Sequence, residues 1–148
     1  MSPIRALVLR FFGLLAVAAA LGWTAVAMAD DYGDVNGLLR SGKLADALAR
    51  ADLYLAAKPR DPQMRFLKGV IQTQAGRKAE AIETYSALTQ DYPELPEPYN
   101  NLAVLYAAQS QFDKARVALE QALRANHGYA TAHENLGDVY AKLATRSY

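Results

Sequence analysis

The sequence predicts an all-α fold, a solenoid of antiparallel helix hairpins, and three observations predict it. Key positions recur every 34 residues: Gly69, Ala103 and Gly137; Ala47, Ala81 and Ala115; Pro59, Pro93 and His127. A fixed period of this length marks stacked supersecondary units, none of which can bury its apolar face alone. One short motif also occurs three times, beginning at Gly42-Lys43-Leu44, at Gly76-Arg77-Lys78 and at Ser110-Gln111-Phe112, with an alanine five residues after each start. Between these turns the apolar residues follow helical spacing, as in Leu44, Leu48, Ala51 and Leu55, and no stretch alternates as a strand would. The stretch from Pro96 to Tyr129 shows the unit most clearly, as two amphipathic helices joined by a tight turn.

Taken in order, Met1 to Ala29 reads as a targeting segment. Arg5 and Arg10 supply a positive start, Phe11 to Val26 is apolar apart from Thr24 and small residues, and Ala27-Met28-Ala29 offers a small-x-small site just before Asp30-Asp31. These are the three parts of a secretory signal peptide. Phe11 to Ala29 is also just long enough to span a bilayer, so an uncleaved anchor is the competing reading. Cleavage after Ala29 implies a periplasmic or secreted protein; retention implies one anchored in the inner membrane.

Asp30 to Ser41 is a short helix weakened at Gly33 and Gly37, each by about 1 kcal/mol relative to alanine. Leu44 to Ala57 is a clear helix that Pro59 ends, because a proline disfavours helical geometry in the residue before it. Asp61-Pro62 opens the next, with aspartate as cap and proline at the first helical position. Its apolar stripe is Leu67, Val70, Ile71 and Ala75, and Gly76 breaks it. Ala79 to Asp91 follows with Ile82, Tyr85 and Leu88 inward, and Pro93 stops it. Leu95 to Pro98 is a proline-rich joint that starts a helix burying Tyr99, Leu102, Leu105 and Tyr106. Phe112, Ala115, Leu119, Ala122 and Leu123 carry the buried face of the next, which stops at Asn126-His127-Gly128. The last helix runs from about Ala130 to Arg146, with Ala132, Leu136, Val139, Tyr140 and Leu143 apolar. The repeats therefore span about 30–61, 62–95 and 96–129, with a partial one over 130–148 that reads either as a solvating cap helix or as a unit cut short. Small residues at Gly69, Ala103 and Gly137 let paired helices approach closely where a bulky partner, such as Tyr85 or Leu119, fills the space.

A small residue in mid-helix, a tyrosine three later, an alanine after the turn and a proline near the end resemble the tetratricopeptide repeat. Ala103, Tyr106, Ala115, Leu119, Ala122 and the slot of His127 occupy those positions, as do Gly69, Ala81, Tyr85 and Pro93 one repeat earlier and Gly137 and Tyr140 one later. The likeness covers roughly residues 30 to 148, with Val35 replacing the small residue in the first repeat. It implies a right-handed superhelical solenoid of about three 34-residue repeats plus a terminal helix.

The totals exclude several function classes. With 148 residues and no cysteine, the chain can bury a core without disulfides and has no thiol chemistry. Removing Arg5 and Arg10 from the 16 basic residues leaves 14, against 15 acidic ones. Such a near-neutral domain, without basic residues interleaved among its tyrosines, gives no sign of nucleic-acid binding. Gly37 to Leu44 nearly matches a phosphate-binding loop but places Leu44 where a Ser or Thr hydroxyl should meet magnesium, and no strand precedes it. His133-Glu134 begins like a zinc-protease helix, but Gly137 stands where the second histidine must be, so His133 reads as a partly buried histidine in the large aromatic slot that Tyr99 fills one repeat earlier. No nucleophile elbow, dinucleotide loop or paired acidic site is present, so neither catalysis nor a cofactor or metal is expected.

The resemblance implies that the first helix of each hairpin lines a concave ligand groove. On this chain the groove comprises Gln63, Phe66, Val70 and Thr73; then Glu97, Asn100, Asn101 and Val104; then Thr131, Glu134, Asn135 and Asp138. Asparagine offers donors and acceptors that suit an extended peptide backbone, or else Asn101 and Asn135 satisfy local backbone groups. Some arrays clamp a C-terminal carboxylate with lysine and asparagine on successive first helices. Here those places hold Phe66 and Val70, Asn100 and Val104, and Glu134 and Asp138, so a basic or neutral segment fits better. The expected role is an exported scaffold binding a protein or peptide in the bacterial envelope. The alternatives are the recruitment module of a larger cell-wall-associated enzyme and, with the leader retained, a membrane-tethered assembly factor.

Overall fold

The computed structural model describes residues 31–146; residues 1–30, which hold the expected targeting segment, and residues 147–148 lie outside the described residues. Seven helices fill this span and no strand occurs among the described residues. They are α1 (31–40), α2 (Leu44–Ala57), α3 (Pro62–Gln74), α4 (Lys78–Asp91), α5 (Pro96–Ala108), α6 (Phe112–Ala125) and α7 (Ala130–Arg146). Each packs mainly on its neighbours in sequence, α5 also touches α7, and the result is a stack of hairpins.

The hairpin turns are built by one repeated device. Gly42, Gly76 and Ser110 all take positive φ, at 72°, 75° and 58°. The next residue then donates its N–H back across the helix end: Lys43 to Leu38 O, Arg77 to Gln72 O and Gln111 to Tyr106 O, each at 2.9 Å. This double turn satisfies carbonyls that the helix end would otherwise leave bare. Helix starts differ more. Asp61 caps α3, its carboxylate accepting from the N–H groups of Gln63 and Met64, and Pro62 follows as predicted. Leu95 occupies the same place before α5 and makes no side-chain cap.

Two apolar clusters run through the stack. Val35, Ala47, Ala51, Met64 and Ile71 join α1, α2 and α3, and a larger group led by Tyr85, Leu102, Leu105 and Leu119 joins α4 to α7. Ala81 and Ala115 are fully buried, as the close approach across each hairpin requires. Gly69 has the same reason: a Cβ there would lie 2.5 Å from Cε1 of Tyr85. Two expectations change. Ala75 is exposed, because α3 has turned its stripe away by its last residue. The interior place goes instead to Gln72, whose side-chain oxygen accepts from the Thr84 hydroxyl at 2.7 Å. His133 is exposed, with Nε2 2.8 Å from His127 O and its ring edge-on to that of His127, so it rests on the turn before α7 and not inside the stack.

Candidate partner-binding groove

The face shared by α3, α5 and α7 carries the predicted groove residues. Phe66, Val70 and Thr73 follow one another by about a turn on α3, and Glu97, Asn101 and Val104 do so on α5. Phe66 is half-buried and leans on Tyr85, their ring centroids 5.7 Å apart. Gln63, Thr131, Glu134 and Asp138 are exposed, and Val104 is 48% exposed in the middle of the face.

The asparagines take a different part from the one expected. Asn135 on α7 donates to Asn100 Oδ1 at 2.8 Å, the Asn100 amide approaches Asn101 Oδ1 at 3.4 Å, and Asn101 donates to the Tyr85 hydroxyl at 3.0 Å. Thr73 beside Tyr85 donates to Gly69 O. An amide ladder thus ties α4, α5 and α7 together under the groove. Asn100 is only 5% exposed, so its side chain is a strut between helices and not an open handle for a ligand. Asn101 and Asn135 bond to side chains, not to the local backbone groups considered above. Burial pushes the Tyr85 phenol above its ordinary pKa, against the opposing pull of the Asn101 and Thr73 hydrogen bonds, so the ladder's hydroxyl stays protonated at neutral pH.

Two cavities open on this face. One, of about 320 Å³, lies between α3 and α5 and is walled by Pro62, Gln63, Phe66, Leu95, Glu97 and Pro98, almost wholly with carbon. The other, of about 210 Å³, lies between α5 and α7, with Val104 and Ala107 on one side and Asn135, Asp138 and Val139 on the other. Gln63, Phe66, Glu97, Val104, Asn135 and Asp138 were expected from sequence as groove residues; Pro62, Leu95 and Pro98 at the first cavity and Ala103, Ala107, Leu119 and Val139 at the second were not. The Leu95–Pro98 joint carried a readable signal, since prolines at a helix start keep a rigid apolar rim.

Charge on the face is uneven. Elsewhere many acids are paired: Asp31 and Asp34 with Arg50, Asp52 with Lys68, Asp91 with Arg65, Glu120 with Arg116. Glu97, Glu134 and Asp138 form no ion pair within 4 Å among the described residues. Burial, and then the charge of Glu97, push the neighbouring Tyr129 phenol up. Among the described residues no group of three or more His, Cys, Asp or Glu side chains could hold a metal ion.

A tetratricopeptide-repeat model matches residues 32–96, and a second model of the same repeat matches residues 105–143. The chain belongs to the tetratricopeptide-repeat family. The chloroplastic tetratricopeptide repeat domain-containing protein PYG7 of Arabidopsis thaliana is 32% identical, over 72% of this chain and 40% of its own length. The chain thus spans well under half of that relative. Among solved structures, the first tetratricopeptide domain of Spaghetti, bound to the HSP90 peptide SRMEEVD, superposes with a TM-score of 0.70 at 16% identity, over 76% of this chain and 89% of that one. The type III secretion chaperone SycD of Yersinia enterocolitica, in complex with a peptide of the translocator YopD, gives 0.69 at 18%, over 80% and 91%. At these identities the likeness is one of fold, and it fixes this tetratricopeptide array as a solenoid of helical hairpins.

Proposed function

We propose that this protein is an exported interaction scaffold that holds a segment of another protein along the concave face of α3, α5 and α7, without chemical turnover. The observation that carries the reading is the coincidence of the predicted groove with two open cavities, flanking an exposed valine on a helix that is otherwise well packed. The Spaghetti and SycD complexes support it, since each of those proteins is seen with a peptide. The acidic carboxyl tail of a chaperone is a poor fit here, because Glu134 and Asp138 stand where a clamp for such a tail needs cations. Export rests on the leader. A mature N-terminus at Asp30, read by mass spectrometry of protein from the native envelope, supports it; an intact Met1 leader favours the anchored form.

The groove is tested by capturing envelope proteins with the full chain and with Val104→Gln, a change that leaves the amide ladder untouched. Loss of a partner that the native chain retains, with unchanged helical circular dichroism, supports the groove. Identical partner sets count against it.

A further inference from the structure

We infer that the groove selects a basic partner segment, seating an apolar side chain between α3 and α5 and a lysine or arginine about four residues away between α5 and α7. The inference rests on the proposed groove and adds the chemistry of its occupant.

The first cavity sets the apolar anchor. It is lined by Phe66, Leu95, Pro62 and the fully buried Pro98, together with the exposed Glu97 and Gln63. Burying a side chain there removes carbon from water on both partners, and the proline walls are already ordered, so little freedom is lost on binding. The volume of about 320 Å³ admits an aliphatic or aromatic side chain.

The second cavity sets the charge. Asp138 lines it and Glu134, one turn earlier on the same helix, is exposed beside it. Among the described residues neither carboxylate has an ion-pair partner within 4 Å, and Lys142, one turn beyond Asp138, does not supply one. Glu97 at the other cavity is unpaired as well. An acidic segment would meet three uncompensated carboxylates along its path, whereas a cation gains from them, and like-charge contact is the stronger discriminator.

The spacing follows from helix geometry. Glu97 marks the first cavity on α5 and Val104 the second, seven residues and roughly 10 Å further along the axis. The cavities also lie on opposite flanks of α5, about one interhelix distance of 8–10 Å apart. An extended chain crossing α5 obliquely covers that diagonal in about four residues, and side chains four apart point to one face.

The test selects linear peptides from a displayed random library on the full-length protein and measures the winners by fluorescence anisotropy. Winners should carry an apolar residue with Lys or Arg about four positions away. Changing that cation to Glu should weaken binding by about tenfold at low salt, and added salt should shrink the difference. The double variant Glu134→Lys, Asp138→Lys should reverse the preference. Peptides lost on Val104→Gln yet indifferent to that charge reversal would overturn the inference and leave the groove standing. Peptides bound equally by native protein, Phe66→Gln and Val104→Gln would overturn the groove itself. A selection that enriches nothing overturns both.

Discussion

Gly69 and Gly137 hold the same place in the repeat and meet opposite surroundings. Around Gly69 the ring of Tyr85, from the second helix of its hairpin, fills the space so closely that no Cβ fits. A Cβ added at Gly137 would meet no other part of the molecule within 4 Å, and Tyr140, one turn on, is 49% exposed. A repeat signature therefore specifies a shape that a neighbour completes, not a contact that the residue makes alone. The same holds along the array. Asp61 and Leu95 both precede a first helix, yet one caps and the other does not. Gly42, Gly76 and Ser110 share a turn, yet one of them carries a side chain in the left-handed region.

The largest expected effect comes from giving each mid-helix glycine a methyl group. In Gly69→Ala the new carbon meets a buried ring that Asn101 holds through its hydroxyl, so the ring cannot swing aside freely. Overpacking of this kind costs about 1–3 kcal/mol, only partly offset by the better helix propensity of alanine. Gly137→Ala gains that propensity with no clash and should stabilise by up to about 1 kcal/mol. Urea unfolding of the two variants checks the comparison. Equal shifts in the two midpoints would mean that the glycines are alike after all.

How much of this was readable from sequence follows from the range of the forces involved. Helix limits were legible because caps and turns are local. Leu44–Ala57 and Ala130–Arg146 match their predicted spans, and α4 begins at Lys78, one residue before the predicted Ala79. The 34-residue period located the Gly69–Tyr85 approach, since both partners sit within one hairpin. The Asn135–Asn100 bond was not legible, because it joins residues 35 apart whose meeting depends on how α7 lies on α5. For the same reason half of the groove residues proved to line cavities, while Asn100 turned out to be a strut. His133 was expected to be partly buried by analogy with Tyr99, but the Tyr99 hydroxyl reaches Thr89 O on α4 whereas the His133 ring meets His127, in the turn before its own helix.

The contrast between Asp61 and Leu95 predicts a pH effect confined to the front of the array. Burial pushes the Asp61 carboxyl up, but hydrogen bonds from Tyr32, Tyr54 and the N–H groups of Met64 and Gln63 outweigh it and hold the group below its ordinary value. The two hydroxyls lie 2.5 and 2.7 Å from Oδ2, so α1 and α2 are tied to the start of α3 through one carboxylate. A lowered folded-state pKa means that the stabilisation is complete above the unfolded value, near 4, and is lost as pH falls through the folded value. Asp61→Asn keeps a cap-competent side chain but loses the charge to which Tyr32 and Tyr54 donate, and should therefore cost about 1–2 kcal/mol at neutral pH. The gap to the native protein should close below about pH 4. Thermal melts at both pH values decide it; a gap constant with pH would remove the carboxylate's charge from the account.

The smallest effect sits in the turns. Ser110 adopts φ 58° where Gly42 and Gly76 have 72° and 75°, and all three make the same backbone bonds. A side chain in the left-handed region brings Cβ close to the following carbonyl, a strain that glycine lacks, while glycine loses more chain entropy on folding. The first effect is the larger at this φ, so Ser110→Gly should stabilise by about 0.5–1 kcal/mol. The reverse change, Gly76→Ser, should cost a similar amount, because its turn is the same and its surroundings are open. Opposite shifts of like size in the denaturation midpoint would show that one strain is being moved between equivalent turns. A destabilised Ser110→Gly would instead mean that chain entropy outweighs the left-handed strain at this turn.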